Sequence, residues 1–145
     1  MERLSVAPNK RTQKILLAVF VLGAIYWFGL RTDPKVTVLN QALQQMSSPA
    51  LRNYPYAFSV VRLEGTSAVM GTPRSTDVPV YRMIGAIYPN LSGRSPDDPD
   101  FVAAEKELAQ IQSEARQIIL GQPGVTSVSW ELDRSWLITN GIQLN

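Results

Sequence analysis

The chain of 145 residues contains no cysteine and no histidine. Without cysteine there is no disulfide, no thiol nucleophile and no thiolate metal site, and the chain is compatible with an oxidising compartment. Without histidine the commonest general base and the commonest transition-metal ligand are both missing. A nucleophilic serine would then need a lysine partner. Beyond residue 31 only Lys35 and Lys106 are available; the first stands in the approach to the domain and the second on the polar side of a helix. Neither GxGxxG nor GxxxxGK[ST] occurs, so Gly65, Gly71 and Gly85 read as turn and packing positions. There is no internal repeat and no low-complexity stretch. These absences exclude more enzyme classes than any motif supports. The sequence therefore predicts a non-enzyme with no catalytic, cofactor-binding or metal-binding residue.

What is present is one apolar block. Residues 15–30 read ILLAVFVLGAIYWFGL, preceded by Lys10, Arg11 and Lys14 and followed by Arg31. A helix of that length covers about 24 Å, against about 30 Å for a bilayer core that usually takes about 17–25 residues. No polar stripe appears at helical spacing, and Tyr26, Trp27 and Phe28 cluster at the far end, as interfacial aromatics do. No small-residue cleavage pattern follows, so the block reads as an uncleaved signal anchor rather than a removed leader. The expected organisation is a basic cytoplasmic tail at 1–14, a transmembrane anchor at 15–31 and a periplasmic domain at 32–145. Arg3, Lys10, Arg11 and Lys14 place the tail inside and the domain outside a bacterial inner membrane.

The formal net charge of +2 comes from the N-terminal region. Past Lys35 there are eight Lys and Arg against ten Asp and Glu. A nucleic-acid binder carries its basic patch on the domain, so nucleic acid is not an expected partner.

Asp33-Pro34 suits an N-cap and first helical residue, and Val36, Leu39, Leu43 and Met46 follow at one-face spacing. Residues 56–63 have strand composition, and Glu64-Gly65 suits a tight turn into a returning strand at 66–72. Residues 78–88 have strand-like composition but helical spacing at Val80, Met83, Ile84, Ile87 and Tyr88, and are read as a short helix. Asp98-Pro99 opens the strongest helix, with Phe101, Ala104, Leu108, Ile111, Ala115 and Ile118 on one face, Gly121 as a left-handed cap and Pro123 as a stop. Residues 125–132 alternate and read as a strand. Asp133-Arg134 then reads as a two-residue turn into a second hairpin, with Trp130 opposite Leu137 and Trp136 on the other sheet face. The expected fold is α+β: a single N-terminal transmembrane helix, then two β-hairpins joined in one antiparallel sheet and packed with two to three helices.

Asp97, Asp98, Asp100 and Glu105 form the densest acid group. They lack the alternating ligand spacing and central glycine of a calcium loop and fit a dipole-matched helix start. Arg and aromatic residues favour interfaces. The candidate partner-binding residues are accordingly Tyr26, Trp27 and Phe28 at the end of the anchor, with Arg74, Arg82, Arg134 and Trp136 on the domain.

Three stretches, YPYAFSVVRLEGTSAVMGTPRS (54–75), DFVAAEKELAQIQSEA (100–115) and PGVTSVSWELDRSWL (123–137), resemble uncharacterised small membrane-anchored proteins of proteobacteria. Some of these carry the label glutamate–ammonia-ligase adenylyltransferase. That chemistry needs a Gly-Ser turn and paired carboxylates holding two metals. This chain has no Gly-Ser dipeptide, and its acids open a helix. The function expected is that of an accessory subunit, scaffold or assembly factor of an inner-membrane or envelope complex, with membrane lipid and other complex subunits as partners. The alternatives are a tethered periplasmic ligand- or peptide-binding module and an enzyme of unrecognised type acting through carboxylates.

Overall fold

A computed structural model describes residues 10–29 and 33–144; the side chains of residues 10–13 and 24–29 lie outside that description. The chain divides into two compact units, Met1–Thr32 and Asp33–Asn145.

Among the described residues of the first unit, a helix, α1, runs Lys10–Gly29. It begins five residues before the apolar block and takes Lys10, Arg11 and Lys14 into its first turns. The uncharged remainder of α1 is about 15 residues, roughly 22 Å of helix, below the usual spanning length. Among the described residues no helix is long and apolar enough to cross a membrane. This corrects the sequence expectation: the transmembrane anchor over 15–31 does not stand, nor does the inner-membrane, N-in and periplasm-out placement that depended on it. Tyr26, Trp27 and Phe28 belong to α1, but their side chains lie outside the described residues.

The second unit opens with α2 (Pro34–Met46), where the Asp33 carboxylate accepts the Lys35 N–H at 2.9 Å and Pro34 takes the first turn. Val36, Leu39 and Leu43 are buried, but Met46 is 61% exposed, because the chain leaves the helix at Ser47. That hydroxyl is buried and donates back to the Leu43 carbonyl. A short α3 (Pro49–Arg52), absent from the sequence reading, is capped by Ser48. Glu114, on a later helix, accepts both the N–H and the hydroxyl of Ser48, at 2.7 and 2.9 Å, and ties this corner to it.

Strands β1 (Val60–Glu64) and β2 (Ser67–Thr72) form the expected hairpin, and Gly65 at φ 64° supplies the left-handed turn residue. Helix α4 (Val80–Ile87) buries Met83, Ile84 and Ile87. Pro79 occupies its cap position, and no side chain hydrogen-bonds that cap. A 3₁₀ turn at Pro89–Leu91 follows. Helix α5 (Pro99–Leu120) is capped by Asp98, which accepts the Asp100 N–H at 2.9 Å. Its buried stripe matches the spacing down to Ala115 and then moves from Ile118 to Ile119. A straight helix drifts by about 20° per heptad against a strict seven-residue repeat, and the last turn shows that drift. Gly121 is right-handed at φ −74° rather than the left-handed cap expected; the positive φ falls at Gly124.

The sheet corrects the fold expectation most. It has three strands in the order β1-β2-β3, and β3 (Ser127–Leu132) lies parallel to β2. The sheet is mixed, and among the described residues there is no second hairpin. Parallel neighbours need a long crossover, here supplied by α4 and α5. Asp133-Arg134 is not a turn. Asp133 accepts the Trp136 N–H at 2.9 Å and caps a sixth helix, α6 (Arg134–Thr139), which buries Leu137 completely. Trp136 is thus on a helix, and Trp130 pairs in register with Met70 instead of Leu137. One hydrophobic core links α2, α4, α5 and α6 to Val60, Ala68 and Met70 of the sheet.

Candidate docking surface along β3

The two edges of the sheet are treated differently. At the β1 edge, the Asn40 side chain reaches from α2. Its Oδ1 accepts the Val60 N–H at 2.7 Å and its Nδ2 donates to the Val60 carbonyl at 2.9 Å. One amide thus occupies the hydrogen-bonding position of a neighbouring strand. The ladder is also irregular between Val60 and Arg62, and both devices blunt an edge.

The β3 edge has neither. The Asp133 N–H reaches the Thr72 carbonyl at 2.8 Å. Strand alternation then turns the main-chain groups of Leu132 and Trp130 away from β2. Among the described residues nothing hydrogen-bonds to β3 on that side. The strand contains no Pro, no Lys and no bulge. Ala68, Met70 and Thr72 of β2 are 0%, 0% and 3% exposed. Their register partners Val128, Trp130 and Leu132 are only half-buried. An apolar row on an open edge is what soluble sheets ordinarily guard against.

The opposite face of the sheet is polar. Arg62 on β1 donates to Glu64 at 2.9 Å and reaches across β2 to Glu131 on β3. Hydrogen bonds to Glu131 and then Glu64 raise the Arg62 pKa above its ordinary value. All three side chains are about half exposed, so the pairs position the face more than they stabilise it.

Six aromatic rings gather behind the edge. Trp130 meets Phe58 edge-on at 6.0 Å, Phe58 meets Tyr56 at 4.8 Å, and Tyr56 meets Trp136 at 5.3 Å. Tyr54 and Tyr88 pack edge-to-face at 6.2 Å. The Tyr56 hydroxyl donates to Asp133 Oδ2 at 3.2 Å, the carboxylate whose other oxygen caps α6. Burial, then the Asp133 charge, raises the Tyr56 pKa. Gly71 is small for a reason: a Cβ there would lie 2.9 Å from the Tyr56 hydroxyl.

Beside Trp130 runs an open groove of about 510 Å³, walled by Thr72, Arg74, Val78, Pro79 and Gln112. Arg74 is exposed at its mouth. The predicted arginines do not converge. Arg82 lines a separate depression with Ser92 and Asn140, and Arg134, exposed at the start of α6, lines neither. Trp136 is half-buried against Tyr56 rather than presented on an open sheet face. Of Arg74, Arg82, Arg134 and Trp136, the expected partner residues whose side chains are described, only Arg74 lines the β3 groove. Trp130 and Asn40 were missed. Trp130 had a signal in the alternation of residues 127–132, but an asparagine inside a helix carries no mark of a strand partner.

The acid group stays local: Arg94 bridges Asp98 at 3.2 Å and Asp100 at 3.0 Å. Among the described residues no cluster of three potential ligands could hold a metal ion. The chain matches no protein-family model, no curated protein and no solved structure.

Proposed function

We propose that this chain is a non-catalytic accessory or scaffold protein that docks another polypeptide along β3. A strand added at this edge would gain main-chain hydrogen bonds, and its alternate side chains would face Val128, Trp130 and Leu132, in the manner of β-augmentation. The groove between Arg74 and Trp130 offers room for one side chain of the incoming segment. The observation that carries this reading is the contrast of edges: β1 is closed by Asn40, while β3 is open and lined by half-buried apolar residues.

The test is affinity capture from the source cells after mild cross-linking, with wild type and Val128→Lys in parallel. An inward-pointing charge on an edge strand blocks further pairing. Wild type should retain a partner that the variant loses while keeping its circular dichroism spectrum. A folded variant that retains the same partner at the same yield rules the edge out as the docking surface.

A further inference from the structure

We infer that the strand received by β3 is β3 of a second copy of this chain, paired antiparallel about a two-fold axis at Trp130. This deepens the docking reading and rests on it. The argument is the self-complementarity of the strand. Residues 128–132 read Val-Ser-Trp-Glu-Leu, which is symmetric in polarity about its centre. With the axis at Trp130, Val128 faces the partner's Leu132, Trp130 faces the partner's Trp130, and Ser129 faces the partner's Glu131. Apolar meets apolar at every inward position, and on the polar face a hydroxyl meets a carboxylate.

Side-chain alternation permits only shifts of the axis by whole residues, and both neighbouring registers are poorer. With the axis at Glu131 the two carboxylates oppose each other, which is destabilising. With the axis at Ser129, Leu132 falls opposite the partner's Thr126, outside the strand, and the apolar row is cut short. The Trp130 register alone uses all three apolar side chains. It also completes the burial that β2 already has, since Ala68 and Met70 are fully enclosed and Val128 and Trp130 are not.

The other edge explains why such pairing would stop at two copies. A two-fold interface is isologous and closes on itself. Asn40 occupies the remaining edge of each copy, so the product is one six-stranded sheet with two guarded ends rather than a growing ribbon. The two-fold axis stands perpendicular to the sheet and keeps both α5 helices on the same side.

The experiment has two arms on the full-length chain. Light scattering coupled to size exclusion should give twice the 16.1 kDa chain mass, falling to one chain in Val128→Lys. Should that variant fail to fold, the second arm decides. The chain has no cysteine of its own, so any disulfide is diagnostic. Ser129 and the partner's Glu131 form a non-hydrogen-bonded pair, about 4.5 Å between Cα atoms, within the disulfide range of about 4.4–6.8 Å. A mixture of S129C and E131C chains, mildly oxidised, should therefore give a covalent dimer in severalfold greater yield than either variant alone. A single-chain mass for wild type overturns the inference. So does a dimer that survives Val128→Lys and shows no preference for the mixed disulfide. A monomeric wild type whose cellular partner is still lost in Val128→Lys sinks self-pairing and leaves the docking reading intact. A partner retained in that variant sinks the reading beneath it as well.

Discussion

Asn40 carries two main-chain hydrogen bonds on one side chain, and this makes it the residue on which the β1 edge depends. Both of its bonds go to Val60, which is 3% exposed. A buried donor or acceptor left unpaired costs about 1–3 kcal/mol. Asn40→Leu, which fills the space but pairs with neither group, should lower stability by about 2–3 kcal/mol in urea titration. Asn40→Asp keeps an acceptor for the Val60 N–H but sets its second oxygen against the Val60 carbonyl, so it too should destabilise. A loss below about 0.5 kcal/mol for Asn40→Leu, the range of an ordinary surface change, would show that the amide does not guard the edge. Gly71 and Tyr56 make a second residue-scale pair: the glycine leaves room for the hydroxyl that reaches Asp133. No sequence pattern announces either arrangement, since each joins positions far apart along the chain.

At the scale of elements, the junction of β3 and α6 is where the sequence misled. Asp-Arg between two apolar runs resembles a hairpin turn, and the residues after it then read as a returning strand. The competing signal was Asp133 as an N-cap, with Leu137 one turn on and fully buried. Capping wins because Asp133 satisfies several groups at once: the Trp136 N–H at 2.9 Å, the Tyr56 hydroxyl at 3.2 Å and, through its own N–H, the Thr72 carbonyl. Asp133→Ala should therefore cost more than an isolated cap. Loss of a cap costs about 1 kcal/mol and the orphaned Tyr56 hydroxyl adds about another, with a change in Trp136 fluorescence as α6 frays. Asp133→Asn, which still caps, should recover most of the loss. If Asp133→Ala melts within about 0.5 kcal/mol of the wild type, the range of an ordinary surface change, Asp133 is not the organiser of this corner. Helices α2 and α5 were legible because a cap, a proline and a buried stripe agree within each segment. The strand direction of β3 was not, because parallel and antiparallel strands alternate identically and the choice lies in the crossover. Reading two hairpins also hid the open edge: a fourth strand beside β3 would have covered it and put Trp136, rather than Trp130, on the exposed face.

On the scale of the whole molecule, the core of the second unit encloses Tyr54 and Tyr56, and this sets its response to alkali. Tyr54 and Tyr56 are 7% and 2% exposed. The Tyr54 hydroxyl is enclosed, and among the described residues it has no hydrogen-bond partner. Burial first, and then the adjacent Tyr88, push its pKa above the ordinary 10.0. Tyr56 is raised by burial and by Asp133. Tyr88, which donates to Glu107 at 2.7 Å, is pushed up to about 12, by burial first and then by that carboxylate. For each phenol the folded chain holds its proton more tightly than the unfolded chain. The contribution to stability is complete below the unfolded value of about 10 and is lost as pH rises through the raised folded values. Urea midpoints should consequently be insensitive to these groups through neutral pH and fall steeply above about pH 10. Tyr56→Phe removes one of the titrating groups. It should lower stability near neutrality through the lost bond to Asp133 and flatten the alkaline slope. Absorbance titration at the phenolate band gives the independent check: in the folded chain Tyr54, Tyr56 and Tyr88 should ionise above the ordinary value of about 10. Ionisation of all of them together near the ordinary value, with the fold intact, would mean that water reaches the aromatic cluster and that the wall behind β3 is looser than its packing implies.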